Sequence, residues 1–122
     1  MVRYFFDSYA VIELLDGNSK YAKYSQEPVI ITIFNLVEIY WFAIREYGEK
    51  TADEIYSQFK TSVVEINDEI LKEAIKFRVK NKKGNLSYAD CIGYIYALKN
   101  DLIFLTGDKE FEDINHVEFV KK

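Results

Sequence analysis

The sequence predicts a three-layer α/β/α sandwich with a mostly parallel central sheet. Short apolar runs, several rich in Val, Ile or Phe, recur at Tyr4-Phe5-Phe6, Val29-Ile30-Ile31-Thr32, Ser62–Ile66, Leu102–Thr106 and Val117–Val120. They read as buried strands because most lack polar alternation, as strands covered on both faces do. Between them lie longer segments with apolar residues at helical spacing, the alternation that builds a parallel sheet covered on both sides. The chain has 122 residues, 49% hydrophobic and 16% aromatic, with five Gly and one Pro, and neither an internal repeat nor a Pro/Gly/Ser-rich linker. That length is expected to make one domain over residues 1–122, and the composition argues against disorder.

The elements follow in order. Tyr4-Phe5-Phe6 ends in Asp7, and Ser8 is placed to cap a helix through Ala10–Leu15 that Asp16-Gly17-Asn18 breaks. After a polar stretch from Ser19 to Glu27, Pro28 introduces the second strand. From Ile33 to Tyr47 the positions Leu36, Val37, Ile39, Tyr40, Ala43 and Ile44 keep helical spacing, with Gly48 as the stop. Thr51 and Glu54 match a capping box for a helix through Phe59, which leads into the strand 62–66. Asn67 caps a helix carrying Ile70, Leu71, Ala74 and Ile75, and Lys80–Asn85 is a polar loop. Ser87 with Asp90 three residues on caps a helix over Tyr88–Lys99, before the strands 102–106 and 117–120.

Charge and cysteine content narrow the class. Twenty Asp and Glu against 16 Lys and Arg give a formal charge of −4, which neither demands nor excludes a polyanionic partner. The single cysteine, Cys91, cannot form an internal disulfide, Asp7 interrupts any signal-peptide apolar region, and no apolar run approaches membrane-spanning length. A soluble cytoplasmic protein without membrane attachment is expected.

Four acids are candidates for chemistry. Asp7 and Asp108 each follow a predicted strand, where ligands of open α/β sheets bind, although each could simply cap what comes next. Glu38 sits in Leu36-Val37-Glu38-Ile39-Tyr40-Trp41 and Asp90 in Ala89-Asp90-Cys91-Ile92-Gly93, and a carboxylate buried in such surroundings needs a partner. The bland readings are a solvent-facing acid for Glu38 and a cap acid for Asp90. Together the four could converge as hard oxygen ligands for Mg²⁺, or Mn²⁺. One His and one Cys leave little material for a zinc site or a Cys/His nucleophile.

Four local patterns, Tyr4-Phe5-Phe6-Asp7-Ser8, Asn35-Leu36-Val37-Glu38, Leu86-Ser87-Tyr88-Ala89-Asp90 and Leu105-Thr106-Gly107-Asp108, resemble in order and spacing those of the PIN domain family. The likeness covers nearly the whole chain and is strongest to the small single-domain VapC-like toxins of type II toxin-antitoxin systems. It implies a metal-dependent endoribonuclease with catalytic and metal-holding residues Asp7, Glu38, Asp90 and Asp108. It also implies that Thr106 supports the fourth acid or a water and that Ser8 organises the first. Homodimerisation and a cognate antitoxin protein whose flexible tail covers the site are implied as well. With these four acids set aside, the remaining acids equal the 16 Lys and Arg in number, so the net charge is a poor objection to RNA binding.

Lys72, Lys76, Arg78, Lys80, Lys82 and Lys83 crowd the interval before the Asp90 helix and form a candidate phosphate-contacting rim, or merely a solvated face. Arg45 is a further candidate for substrate binding. Most of the ten Tyr and nine Phe are expected in the core, with Tyr9, Tyr40 and Tyr88 close enough to the site segments to border substrate. His116 and Cys91 are expected to be structural. Tyr40, Trp41, Phe42 and Ile44 together with Ile12, Leu14 and Leu15 offer a face that dimerisation could bury. An RNA-maturation or single-stranded DNA nuclease, and a catalytically silent RNA- or protein-binding regulator, remain alternatives at this level.

Overall fold

The computed structural model describes residues 2–81 and 84–121. Strands β1 (Tyr4–Phe6), β2 (Ile103–Thr106) and β3 (Val117–Phe119) are parallel and lie in that order. Tyr4 to Phe6 pair with Ile103 to Leu105, and Phe104 to Thr106 with Val117 to Phe119.

The two other expected strands shrink to one bridge between Ile31 and Val63. They still prolong the sheet beyond β1: Phe6 N–H donates to the Ile30 carbonyl at 3.0 Å, Ile31 N–H to Ser62 at 3.1 Å, and Val64 N–H to Ile31 at 2.8 Å. Their brevity has a local cause. Pro28 offers no donor, and Thr32 already serves as a helix N-cap, so little chain is left to run straight. The chain therefore first builds outward from β1 on one side and later, through β2 and β3, on the other. The boundary between β1 and β2 is a switch point, and ligands of such sheets bind beyond the carboxyl ends of the strands there.

Five helices cover the sheet: α1 (Ser8–Leu15), α2 (Ile33–Tyr47), α3 (Glu49–Lys60), α4 (Asp68–Lys80) and α5 (Tyr88–Lys99). Consecutive β1 residues point to opposite faces. Phe5, with Phe104, packs against Ile70 and Ala74 of α4 and Cys91, Ile92 and Ile95 of α5. Phe6, with Leu105, packs against Val11 of α1, Leu36 and Ile39 of α2, and Ile55 and Phe59 of α3. The result is the predicted α/β/α sandwich.

Gly93 lets α5 settle onto the sheet, since a Cβ there would stand 2.6 Å from Phe5 Cε1. That close approach fixes Asp90, one turn earlier. Three local expectations are corrected. The cap of α1 is Asp7, not Ser8. Helix α3 starts directly at Glu49 after Gly48 (φ 87°), so the Thr51–Glu54 box is not used. The polar stretch after α1 contains a 3-10 helix, Ser19–Tyr24, whose Tyr21 and Tyr24 are buried. Among the described residues no helix is long and apolar enough to cross a membrane.

Candidate active site

Asp7 is the first residue beyond β1 and is almost wholly buried, at 1% exposure. Its backbone is tied to the sheet, donating from N–H to the Leu105 carbonyl at 3.1 Å. Its side chain caps α1, accepting from Ala10 N–H at 2.7 Å, and the Thr106 hydroxyl donates to its other oxygen. Burial is the main force on this carboxyl and, with smaller pushes from the Asp90 and Asp108 charges, raises it to about 8. The bonds from Thr106 and Ala10 act in the opposite direction. Asp7 is thus cap and buried acid at once.

With Asp7 doing the capping, the Ser8 hydroxyl is free to reach α2, where it donates to Glu38 Oε1. Behind it stands a buried polar chain that sequence reasoning did not assign to the site. Asn35 Nδ2 donates to Ser8 Oγ at 3.0 Å, and Asn35 Oδ1 accepts from both the backbone and the hydroxyl of Thr32, each at 2.9 Å. Thr32 and Asn35 are essentially inaccessible. The signal was present: Thr-x-x-Asn is a variant of the capping box, and Asn35 is a polar residue three before Glu38 in an apolar run.

Asp90 caps its own helix reciprocally with Ser87, as the spacing predicted: Asp90 N–H donates to Ser87 Oγ at 3.0 Å and Ser87 N–H to Asp90 Oδ2 at 3.3 Å. Burial raises its carboxyl to about 6. The Ser87 bonds lower it, and the Asp108 and Glu38 charges push it further up. Asp108 follows β2 after Thr106-Gly107. Its N–H donates to Thr106 Oγ1 at 3.0 Å and its side chain caps a 3-10 turn through Glu110 N–H at 3.0 Å. Thr106 therefore joins Asp7 and Asp108 through one hydroxyl. Gly107 keeps this crossing tight, because a Cβ there would lie 2.2 Å from Tyr9 Cε1.

Asp7, Glu38, Asp90 and Asp108, drawn from four distant stretches of sequence, line a single cleft of about 610 Å³ together with Ser8, Ser87 and Lys109. Tyr9, Ile12 and Trp41 supply an apolar wall. Lys109 was missed in the sequence, hidden immediately after an acid already singled out. The other basic candidates lie elsewhere. Arg78 donates to the Leu86 carbonyl at 2.9 Å and stacks 4.5 Å over Tyr88, bracing the approach to α5. Lys76 pairs with Glu73, and Lys80 closes α4. Lys82 and Lys83 lie outside the described residues. Arg45 stacks 4.8 Å over the Trp41 ring. Tyr40 is occupied elsewhere, donating to Asp53 at 2.6 Å.

Among the described residues no group of three or more His, Cys, Asp and Glu forms a ready-made metal cage. Asp7, Glu38 and Asp90 are instead turned toward Thr106, Ser8 and Ser87. The donor set nevertheless suits a hard divalent cation: it is all carboxylate oxygen, the charges of neighbouring acids add to the raised proton affinity of Asp7 and Asp90, and the ion pairs Lys76–Glu73 and Lys99–Glu69 lie outside it.

The fold is shared with solved toxin structures. A chain of a toxin-antitoxin complex from Klebsiella pneumoniae is 20% identical, with a TM-score of 0.78, and the alignment covers 98% of both chains. VapC20 of Mycobacterium tuberculosis, a sarcin-ricin loop cleaving toxin, is 15% identical over 81% of this chain and 84% of that one, with a TM-score of 0.70. A chain of DNA-bound VapBC from Salmonella typhimurium is 14% identical over 98% and 97%, with a TM-score of 0.71. No curated protein matches by sequence. The PIN domain model matches residues 4–117, a span that opens on β1, reaches β3 and contains all four acids, and the chain belongs to the PIN domain family.

Proposed function

We propose that this protein is a divalent-metal-dependent endoribonuclease that hydrolyses RNA phosphodiester bonds, and that residues 1–122 act as a single nuclease domain. The observation that carries the reading is Asp7: a buried carboxyl raised to about 8 at the switch point of the sheet, in one cleft with three further acids. A helix cap alone does not require a carboxyl buried beside three other acids, whereas a bound cation would offset both the desolvation and the mutual repulsion.

Asp7, Asp90, Asp108 and Glu38 would hold Mg²⁺ or Mn²⁺. Such an ion, when bound, supplies polarisation of the phosphate oxygens and a more acidic attacking water. The rest falls to the chain. Thr106 fixes the Asp7 carboxylate and the Asp108 backbone in one orientation. Ser8 holds Glu38 by Oε1, leaving Oε2 to orient the attacking water. The Ser87 cap holds Asp90 at the head of α5.

The similarity to chains from toxin-antitoxin complexes supports a toxin role with a cognate antitoxin as partner. Homodimerisation would cover Val37 and Ile44 of α2, exposed at 61% and 40%, which lie on the far side of Trp41 from Glu38, and would leave the Trp41 face in the cleft open.

The test compares structured RNA, unstructured RNA and single-stranded DNA in Mg²⁺, in Mn²⁺ and in chelator, with D7N and D90N as controls. Metal-dependent RNA cleavage that both substitutions abolish is expected. Undiminished cleavage by the D7N/D90N double variant would refute the site.

A further inference from the structure

The acid cleft has an apolar wall, and α2 carries it from Glu38, one of the acids that would hold the cation, past Trp41 to Arg45 beyond the cleft's lining. Glu38, Trp41 and Arg45 stand at positions i, i+3 and i+7 of α2, on one face and one turn apart, about 10 Å from first to last along the axis. Glu38 and Trp41 line the same cleft. Trp41 is 60% exposed despite being the largest apolar side chain of the protein, and Ile12 continues its wall. The guanidinium of Arg45 stacks on the ring at 4.8 Å, and among the described residues it forms no ion pair. The comparable pair on the other side, Arg78 on Tyr88, is tied down by the Leu86 carbonyl.

Resting on the nuclease reading above, we propose that Trp41 and Arg45 form a clamp for one unpaired nucleotide of the substrate, Trp41 stacking its base and Arg45 holding its phosphate, next to the bond that is cut. The chemistry of the cleft calls for such a ligand. Its acid side suits a phosphate only together with a cation, while its Ile12–Trp41 side suits a flat apolar ring. A nucleotide presents both groups a short step apart. Aromatic side chains bind every base by its π-face, and Arg adds charge to the backbone. A base paired in a helix cannot reach the ring, so the clamp selects loops and single strands.

Trp41 is the sole tryptophan of the chain, so its fluorescence reports on the clamp directly. In Mg²⁺, with nuclease-resistant phosphorothioate linkages holding turnover off, wild-type protein is titrated with a single-stranded 2′-O-methyl oligoribonucleotide, with the same backbone made abasic, and with a duplex of the same sequence. The intact single strand should quench the emission, the abasic strand and the duplex far less. By anisotropy of a labelled strand, W41A should weaken binding about 5- to 100-fold and W41F only partly restore it. R45A should lower affinity and make its salt dependence shallower by about one unit of log–log slope.

Equal quenching by intact and abasic strands would overturn the clamp. So would unchanged affinity and an unchanged KM for RNA cleavage in W41A, which is surface-exposed and expected to fold by circular dichroism. Emission that responds only to a partner protein would assign the ring to a protein interface and equally overturn it. Failure of the nuclease reading looks different: wild-type protein would then cleave no RNA in Mg²⁺ or Mn²⁺, whatever the behaviour of Trp41.

Discussion

Replacing Asp7 by Asn should stabilise the metal-free protein at alkaline pH and destabilise it at acid pH. The folded carboxyl is raised to about 8, whereas an unfolded aspartate titrates near 3.9. A carboxyl with a raised folded pKa contributes fully while it is protonated in both states, below about pH 4. That contribution is lost as pH rises to about 8, at about 1.4 kcal/mol per unit. The full loss is bounded at about 6 kcal/mol, a limit that relaxation around the buried charge lowers, and Asn escapes it. Asn keeps the bond from Ala10 N–H but turns an NH₂ toward Thr106, whose hydroxyl already accepts from Asp108 N–H. That rearrangement costs about 1 kcal/mol. The balance gives D7N an advantage of about 2–4 kcal/mol at pH 9 and a deficit of about 1 kcal/mol at pH 4, with the sign changing near pH 5. At about 3–5 °C per kcal/mol for a chain of this size, the midpoint should rise by roughly 10 °C at pH 9. Urea and thermal denaturation in EDTA at pH 4, 5, 7 and 9 measure it. A D7N protein less stable than wild type throughout, or a difference independent of pH, would refute the reasoning.

Four further outcomes follow from the structure. Asn35→Ala removes the donor to Ser8 Oγ, orphans the Thr32 amide and should cost about 1–3 kcal/mol in urea denaturation. Ser8→Ala, which leaves the rest of that chain in place, should weaken Mn²⁺ binding in calorimetry and lower kcat more than it lowers stability; unchanged metal affinity would show that Glu38 needs no anchor. Gly93→Ala should destabilise by about 1–3 kcal/mol because its methyl meets Phe5 and Phe104, a loss that denaturation reads directly. Val37→Asp with Ile44→Asp should shift the mass in light scattering from dimer to monomer across concentrations, and an unaltered dimer would place the self-association surface elsewhere.

The layers were legible because α2 shows a clear 3.6 period, while α5, β1 and β2 are almost continuously apolar runs, long in the helix and short in the strands. Strand length was not. Val29–Thr32 has the composition of a strand, but a proline before it and a helix cap at its last residue leave one bridging position. Caps divided along similar lines. Ser87–Asp90 is a local matter and was read correctly, whereas the choice of Asp7 over Ser8 depends on Glu38, thirty residues away, taking the serine hydroxyl. Four separated acids could be nominated from their neighbours in sequence. The Thr32–Asn35 pair was legible as a cap, but its support of Ser8 shows only when α1 and α2 are side by side.

The Thr106–Asp7 bond joins residues 99 positions apart, and β1 finds β2 over nearly the same separation. Contacts of that range are closed late in folding, after local helices have formed. Synthesis proceeds from the N-terminus, so Asp7 leaves the ribosome long before Thr106 and Asp108 exist to complete its surroundings. Until the stretch through Asp108 is made, a nascent chain carries the first acid without a finished cleft. The RNA cleavage proposed for the protein would thus have no site to act from while the ribosome is still translating those residues.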